Sequence, residues 1–229
     1  MAISRTKNAD YTIYCRNTAV DISSLLEQWA ARKIQGKALN SGNPQRSVHL
    51  VKYNDQKFII KTDREVDQRL EKKIINFLFG SFYSRLIKQL DSTPKKLRKH
   101  TADLYYVAEK CQHRQCVDVS VVHEYVEGEP LQEINASNAQ EVKALILKLH
   151  QAGLASNDIH PGNFIRTPSG ELKIIDLSCK GSIKICQAND ILTLRNKYHI
   201  PVEGHGVVYR LIAAKERFRQ FSRRLRGKK

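Results

Sequence analysis

Apolar and polar residues alternate weakly from Asp10 to Asn17, which predicts a first strand. From Asp21 to Gln35 the period lengthens. Ile22, Leu25, Leu26, Trp29 and Ala30 share one face of an amphipathic helix, and Ser24 with Glu27 has the spacing of a capping box. Gly36 to Pro44 reads as a loop. Val48 to Tyr53 and Lys57 to Lys61 then read as the strands of a hairpin, turned at Asn54-Asp55-Gln56. Asp63 to Leu90 predicts a long helical region, with Leu70, Ile74, Phe77, Leu78 and Leu86 at helical spacing and a break at Gly80. After a basic connector around Pro94, Asp103 to Glu109 and Cys116 to Glu124 read as two more strands.

Beyond the connector Tyr125 to Pro130, which carries Gly128, the pattern turns helical. Val142, Leu145, Ile146 and Leu149 form a stripe, with Ser137 and Gln140 at capping-box spacing before it. A polar loop and two short strands follow, and further helices are expected near Ala188 to Tyr198 and Val207 to Arg226. The order predicts an α+β protein of two lobes. Residues 1–124 would form an antiparallel sheet with one long helix, and residues 125–229 a mainly helical lobe.

A chain of 229 residues is long enough for one good core or two small lobes with a cleft between them. Met1 to Asn17 contains no apolar run typical of a signal peptide, and no stretch of about 18 apolar residues is present to span a bilayer, so a cytoplasmic protein is expected. Five cysteines, odd in number and without disulfide-like spacing, suit a reducing compartment. Cys111, His113 and Cys116 suggest a metal site only weakly, because the four-ligand set is incomplete. The net charge of +16 implies a polyanionic partner: nucleic acid, an anionic membrane surface or a phosphorylated substrate.

Candidate chemistry concentrates in Asn157-Asp158-Ile159-His160-Pro161-Gly162-Asn163 and in Lys173-Ile174-Ile175-Asp176-Leu177-Ser178. An Asp, an Asn five residues on, and a second Asp thirteen residues later behind an apolar strand form the set that phosphoryl transfer to a hydroxyl requires. Asp158 would face the attacking hydroxyl and take its proton. Asn163 and Asp176 would hold Mg2+ on ATP with oxygen ligands. A plain turn explains Asp158 and Asn163 taken alone, since Asn, Asp, Pro and Gly are turn formers. It leaves Asp176 unexplained.

Other residues take roles within that frame. Lys61, at the end of a hairpin strand, is the candidate for reaching the nucleotide phosphates, with Glu71 as its carboxylate partner and Glu65 as rival. The connector His123-Glu124-Tyr125-Val126 would present backbone donors and acceptors at Glu124 and Val126 to an adenine ring. His160 is a candidate neighbour of the transferred phosphate or a structural loop residue. Asp190 would cap a helix or bind backbone amides of the catalytic loop. No Gly-x-Gly-x-x-Gly loop exists, so phosphate cover would come from another loop, such as the amides near Ser41 to Ser47.

These residues resemble the protein-kinase-like superfamily in its small-molecule branch. There the catalytic loop commonly reads His-Gly-Asp-x-His-x-Gly-Asn, and Asp158 to Asn163 matches its second half, whereas Ser156 and Asn157 depart from its start. Asp176-Leu177-Ser178 stands where protein kinases have Asp-Phe-Gly, and no Ala-Pro-Glu segment follows. Within the superfamily the chain is similar to the bacterial lipopolysaccharide core heptose(II) kinases over most of its length. The likeness rests on the small size, the strand before Asp176, the Asp190 to Tyr198 helix and the basic end. It implies transfer of the ATP γ-phosphate to an inner-core heptose of lipopolysaccharide at the cytoplasmic face of the inner membrane, with that anionic surface as partner and no specific nucleic acid.

Two other classes compete. An aminoglycoside-type kinase needs an acidic pocket, which the charge disfavours, whereas a RIO-like kinase would tolerate it. A nucleic-acid-binding module would interleave aromatic and basic residues, but the tail offers only Phe218 and Phe221.

Overall fold

Antiparallel pairing organises the first half of the chain. The strands are β1 (Ile3–Asn8), β2 (Tyr11–Arg16), β3 (Gly36–Leu39), β4 (Arg46–Tyr53), β5 (Gln56–Asp63), β6 (Leu104–Gln112) and β7 (Gln115–Glu124). They form one sheet in the order β1-β2-β6-β7-β5-β4-β3. The computed structural model describes residues 3–18, 20–39, 44–64, 74, 77, 80–112 and 115–225. The chain is α+β and divides into two units, Met1–Glu127 and Gly128–Lys229.

The sheet pleat sends alternate residues to opposite faces. Ile60, Val122 and Tyr106 lie in one cross-strand row, and Lys61, Val121, Val107 and Tyr14 in the neighbouring row on the other face. Helix α1 (Ile22–Ala30) covers the first face, where Ile22, Leu25, Val51, Tyr53, Phe58, Ile60 and Val122 form a core. Leu25 is fully buried there, and Leu25→Ala would cost about 2–5 kcal/mol. Helix α2 (Phe82–Ser92) covers the second face. Its Tyr83 ring lies 6.4 Å from that of His123, and its Lys88 Nζ sits 4.9 Å over the Tyr14 ring. Lys61 therefore shares its sheet face with the residues that α2 packs on. The short helix α3 (Lys95–Arg98) leads back to β6.

Buried Arg16 ties these parts together. Its Nη1 donates to Asp103 Oδ1 at 3.0 Å, and its Nε lies 3.6 Å from Asp91 Oδ1 at the end of α2. Removing one member of such a buried pair typically costs about 3–5 kcal/mol.

Several sequence expectations need correction. Strands β1 and β3 were not expected. Both are edge strands with mostly exposed residues, so they carry no apolar alternation to read. Gly36 is a packing glycine, because a Cβ there would stand 2.8 Å from the Trp29 ring. Helix α1 stops at Ala30, with Arg32 left-handed at φ 56°. Its cap is Asp21, whose Oδ1 accepts from the Ser23 and Ser24 amides, and not Ser24. The β4–β5 hairpin turns on Asn54 and Asp55 alone, both at positive φ, the turn that matches strand twist. Lys61 therefore lies within β5, two residues before its end at Asp63. Ile74 and Phe77 are helical, whereas Glu65, Leu70, Glu71 and Leu78 lie outside the described residues. Gly80, at φ 72°, stands before α2.

The second unit contains β8 (Glu129–Pro130), α4 (Ala139–Gln151), β9 (Phe164–Arg166), β10 (Leu172–Ile174), α5 (Ile183–Tyr198) and α6 (Gly206–Leu225). Strands β10-β9-β8 form a small sheet, and Gly128 lets the chain pass so close to Arg166 that a Cβ would overlap its carbonyl. The α4 stripe is buried as expected at Val142, Leu145, Ile146 and Leu149. The residue before α4 is Asn138, so the Ser137 capping box is not formed. Helix α5 begins five residues earlier than its pattern predicts, at Ile183 rather than Ala188, which moves Asp190 from a helix start to a helix interior. Cys179 and Cys186 are joined in a disulfide, contrary to the expectation of unpaired thiols. The pairing depends on a turn that brings their Cα atoms to 5.8 Å, which spacing alone does not reveal.

Candidate active site

The loop between α4 and β9 is anchored by apolar residues and fastened by polar ones. Leu154, Ala155, Ile159 and Phe164 are buried and pin its path. Asp190 reaches it from the middle of α5 with only 1% exposure. Asp190 Oδ1 accepts from the Asn157 amide at 2.7 Å. Its Oδ2 accepts from the Ser156 amide at 2.9 Å and lies 3.0 Å from His150 Nε2. Of the two expectations for Asp190, loop binding holds and helix capping does not. Further along, the Tyr198 hydroxyl donates to the Ile159 carbonyl at 3.0 Å. Helix α5 thus grips the loop at several points along its length.

Further hydrogen bonds fasten the start of the loop. Asn157 is left-handed at φ 56°, a conformation Asn tolerates, and its Oδ1 accepts from Asn189 Nδ2 at 3.1 Å. Ser156 Oγ accepts from the Asp158 amide at 3.3 Å, and the Ser156 carbonyl accepts from the Ser178 amide at 2.9 Å. The departure at Ser156-Asn157 from the usual loop start is therefore accommodated by hydrogen bonds of its own.

Asp158 and Asn163 are brought together directly. Asn163 Nδ2 donates to the Asp158 carbonyl at 3.0 Å and lies 3.4 Å from Asp158 Oδ2. With Nδ2 so committed, Oδ1 is the amide atom left to act as a ligand. The Ile175 amide donates to the Asn163 carbonyl at 2.8 Å, which ties the residue before Asp176 to the loop. Asp176 is exposed and left-handed at φ 59°, a conformation that costs a non-glycine residue about 1–3 kcal/mol and clusters at functional sites. Asn163 Oδ1 and the exposed Asp176 carboxylate are oxygen donors of the kind a hard hydrated cation such as Mg2+ prefers. His160 caps the Pro161–Asn163 turn, its Nδ1 accepting from the Gly162 amide at 3.2 Å, and is exposed.

In the first unit, Lys61 is half-buried on β5. Glu124 and Asp103 clamp each other: the Glu124 amide donates to the Asp103 carbonyl at 2.9 Å, and Glu124 Oε2 accepts from the Asp103 amide at 3.0 Å. The Glu124 N–H is thereby committed, which removes it as a donor to an adenine ring. Val126 is buried. Glu71, Glu65 and residues 40–43 lie outside the described residues.

Sequence reasoning missed His150, and it named Ser178 only as part of the Asp176-Leu177-Ser178 segment, without its bond to the Ser156 carbonyl. His150 reads as a basic residue in the last turn of a helix, ordinary there on charge grounds, and nothing in the sequence signals its contact with Asp190.

Comparison with known proteins adds a family. Residues 2–228 match the family model for "Lipopolysaccharide core biosynthesis protein (WaaY)". The chain is 32% identical over 184 residues, 79% of each sequence, to the lipopolysaccharide core heptose(II) kinase WaaY of Escherichia coli strain K12. It is 29% identical over 184 residues, 79% of this chain and 80% of the relative, to another lipopolysaccharide core heptose(II) kinase WaaY from Escherichia coli.

Proposed function

The chain belongs to the lipopolysaccharide core biosynthesis (WaaY) family, and from that premise we propose that it is a kinase transferring the γ-phosphate of ATP to an inner-core heptose, heptose II foremost. Bound Mg-ATP supplies the phosphoryl group, with the metal offsetting charge on its oxygens. Asp158 would orient the heptose hydroxyl and accept its proton late in transfer. Asn163 Oδ1 and the Asp176 carboxylate would hold magnesium. Lys61 would bring its ammonium to the phosphates, held by Glu71. The Glu124 carbonyl and the Val126 amide would meet the adenine, and His160 would flank the acceptor. Residues 1–124 would then be the nucleotide-binding lobe and residues 125–229 the catalytic lobe.

The observation that carries this reading is the Asp158–Asn163 pair, fastened by Asp190 and tied to the Asp176 strand. A turn that served only to reverse the chain would need neither a buried carboxylate beneath it nor a left-handed aspartate beside it.

The acceptor lipid sits in an anionic membrane, and α6 suits that surface. Val207, Leu211, Phe218 and Phe221 are 71%, 64%, 72% and 59% exposed, so the described residues of its own unit leave the apolar edge of this helix uncovered. Arg210, Lys215, Arg217, Arg219 and Arg223 are exposed around it. Basic residues near an anionic surface contribute about 1 kcal/mol each. Among the described residues no helix is long and apolar enough to cross a membrane. Peripheral attachment at the cytoplasmic face of the inner membrane follows as part of the proposal.

Mass spectrometry of core lipopolysaccharide from a deletion strain tests the function. The core should lose one phosphate from a heptose and regain it with the wild-type gene but not with Asp158→Ala. An unchanged phosphate pattern in the deletion strain would remove the proposal.

A further inference from the structure

The β6–β7 hairpin carries a second cluster, in the first unit and outside the residues assigned to phosphoryl transfer. Glu109 and Cys111 are two apart on β6 and so project from the same face. Cys116 stands opposite Cys111 in the β6–β7 register and joins them on that face. A ligand atom from each of the three lies within 4.8 Å of the others. Cys111 and Cys116 are free thiols, exposed and half-buried respectively.

Glu109 is the unusual member. It is only 6% exposed, and its Oε2 is buried without a hydrogen-bond partner. A buried carboxylate oxygen lacking a partner costs free energy that a bound cation would recover. Burial raises the Glu109 carboxyl above its ordinary pKa, and Ser81, Ser84, Lys88 and Arg5 offset only part of that. Nothing in the proposed kinase chemistry uses this group.

We propose that Glu109, Cys111 and Cys116 form a binding site for a thiophilic divalent cation of the zinc class, with solvent at the fourth position. Two thiolates and a carboxylate suit such an ion, and an alkaline-earth ion would not choose the sulfurs. Bonds of about 2.0–2.3 Å in a tetrahedron set ligand atoms about 3.3–3.8 Å apart. The cluster needs to close by on the order of 1 Å, which side-chain rotation supplies. The metal would clip the two strands together beside the end where β6 passes into β7.

The test uses full-length protein, purified anaerobically without added thiol and stripped of metal by a chelator that is then dialysed away. Cobalt(II) is added as a spectroscopic probe, and zinc is titrated in competition with a chromophoric chelator. The site predicts a thiolate-to-cobalt charge-transfer band and binding of one zinc per chain. Cys111→Ser and Cys116→Ser should each abolish the band, while Cys15→Ser, which alters another free thiol, should retain it. Glu109→Gln keeps both sulfurs and should weaken zinc at least about tenfold. Because Cys111 is exposed, Cys111→Ser should fold, which keeps the test decisive even if a Glu109 variant does not. No band, a band surviving in the Cys111→Ser/Cys116→Ser double variant, or full zinc affinity in folded Glu109→Gln would overturn the site. So would non-reducing peptide mapping that finds Cys111 and Cys116 joined in a disulfide.

Discussion

Replacing Asp190 should damage the catalytic loop without touching any group proposed to meet substrate. Its carboxylate accepts from two backbone amides, at 2.7 and 2.9 Å, and lies 3.0 Å from His150 Nε2. Asp190→Ala leaves the Ser156 and Asn157 amides without their acceptor. Each stranded buried donor costs about 1–3 kcal/mol, and the lost His150 contact adds to that. Coupled losses do not add fully, so we expect about 3–5 kcal/mol, a large share of the roughly 5–15 kcal/mol that holds a domain folded. Asp190→Asn is gentler. Its single carbonyl oxygen serves one amide and presents an NH2 to the other, so about 1–3 kcal/mol is expected. Urea unfolding measures the loss, and hydrogen exchange should locate it at the Ser156 and Asn157 amides. Loop displacement on the order of 1 Å costs about 10²-fold in rate, so turnover of folded Asp190→Asn should fall by that order. Its KM for ATP should stay near wild type, because the proposed nucleotide contacts lie largely elsewhere. An unchanged urea midpoint together with full turnover would falsify the view that Asp190 holds the loop.

Other parts of the account give further predictions. Reducing the Cys179–Cys186 disulfide, or replacing both residues with Ala, should lower stability by about 2.5 kcal/mol from loop-closure entropy over a separation of seven, read from the urea midpoint with and without reductant. Lys61→Ala should cut turnover by about 10²–10³-fold by removing charge from the phosphates. Glu71→Gln should have a milder effect and Glu65→Gln almost none, and the reverse order would name Glu65 as the lysine's partner. Cutting the chain after Ser222 removes five basic residues. It should weaken binding to anionic vesicles, more at low salt than at high salt, and leave activity on a lipid-free acceptor unchanged. Equal vesicle binding by the cut and full-length proteins would exclude a membrane role for the tail.

What was legible in the sequence follows from where burial imposes a pattern. The α4 stripe and the central strands β4 to β7 carry apolar periodicity because one or both faces are covered, and they read correctly to within a few residues. Edge strands β1 and β3 meet water on most of their surface, so polar residues hide them. Helix α5 was misplaced because its first turns, Ile183 to Gln187, mix buried Cys186 with exposed Lys184 and Ile185. Within the candidate site, the contact of Asp158 with Asn163 was legible because a spacing of five residues carries it. The support beneath them was only half legible. Asp190 stood out as a candidate, but its bonds to Ser156 and Asn157 span more than thirty residues, and no local pattern encodes such a contact. The Cys179–Cys186 bond was misread for a different reason: a separation of seven does not reveal the turn that brings the two Cα atoms to 5.8 Å.

The most direct test of the kinase assignment is transfer itself. Purified full-length protein, γ-labelled ATP, magnesium and heptose-containing core lipopolysaccharide lacking the phosphate are mixed, and label in the lipopolysaccharide is followed with time. The account predicts magnesium-dependent transfer to a heptose hydroxyl. Asp158→Ala should slow that transfer by about 10²–10⁴-fold while still binding nucleotide. Asp176→Ala should lose Mg-ATP affinity. No label in the lipopolysaccharide, or near-normal transfer by Asp158→Ala, would contradict it.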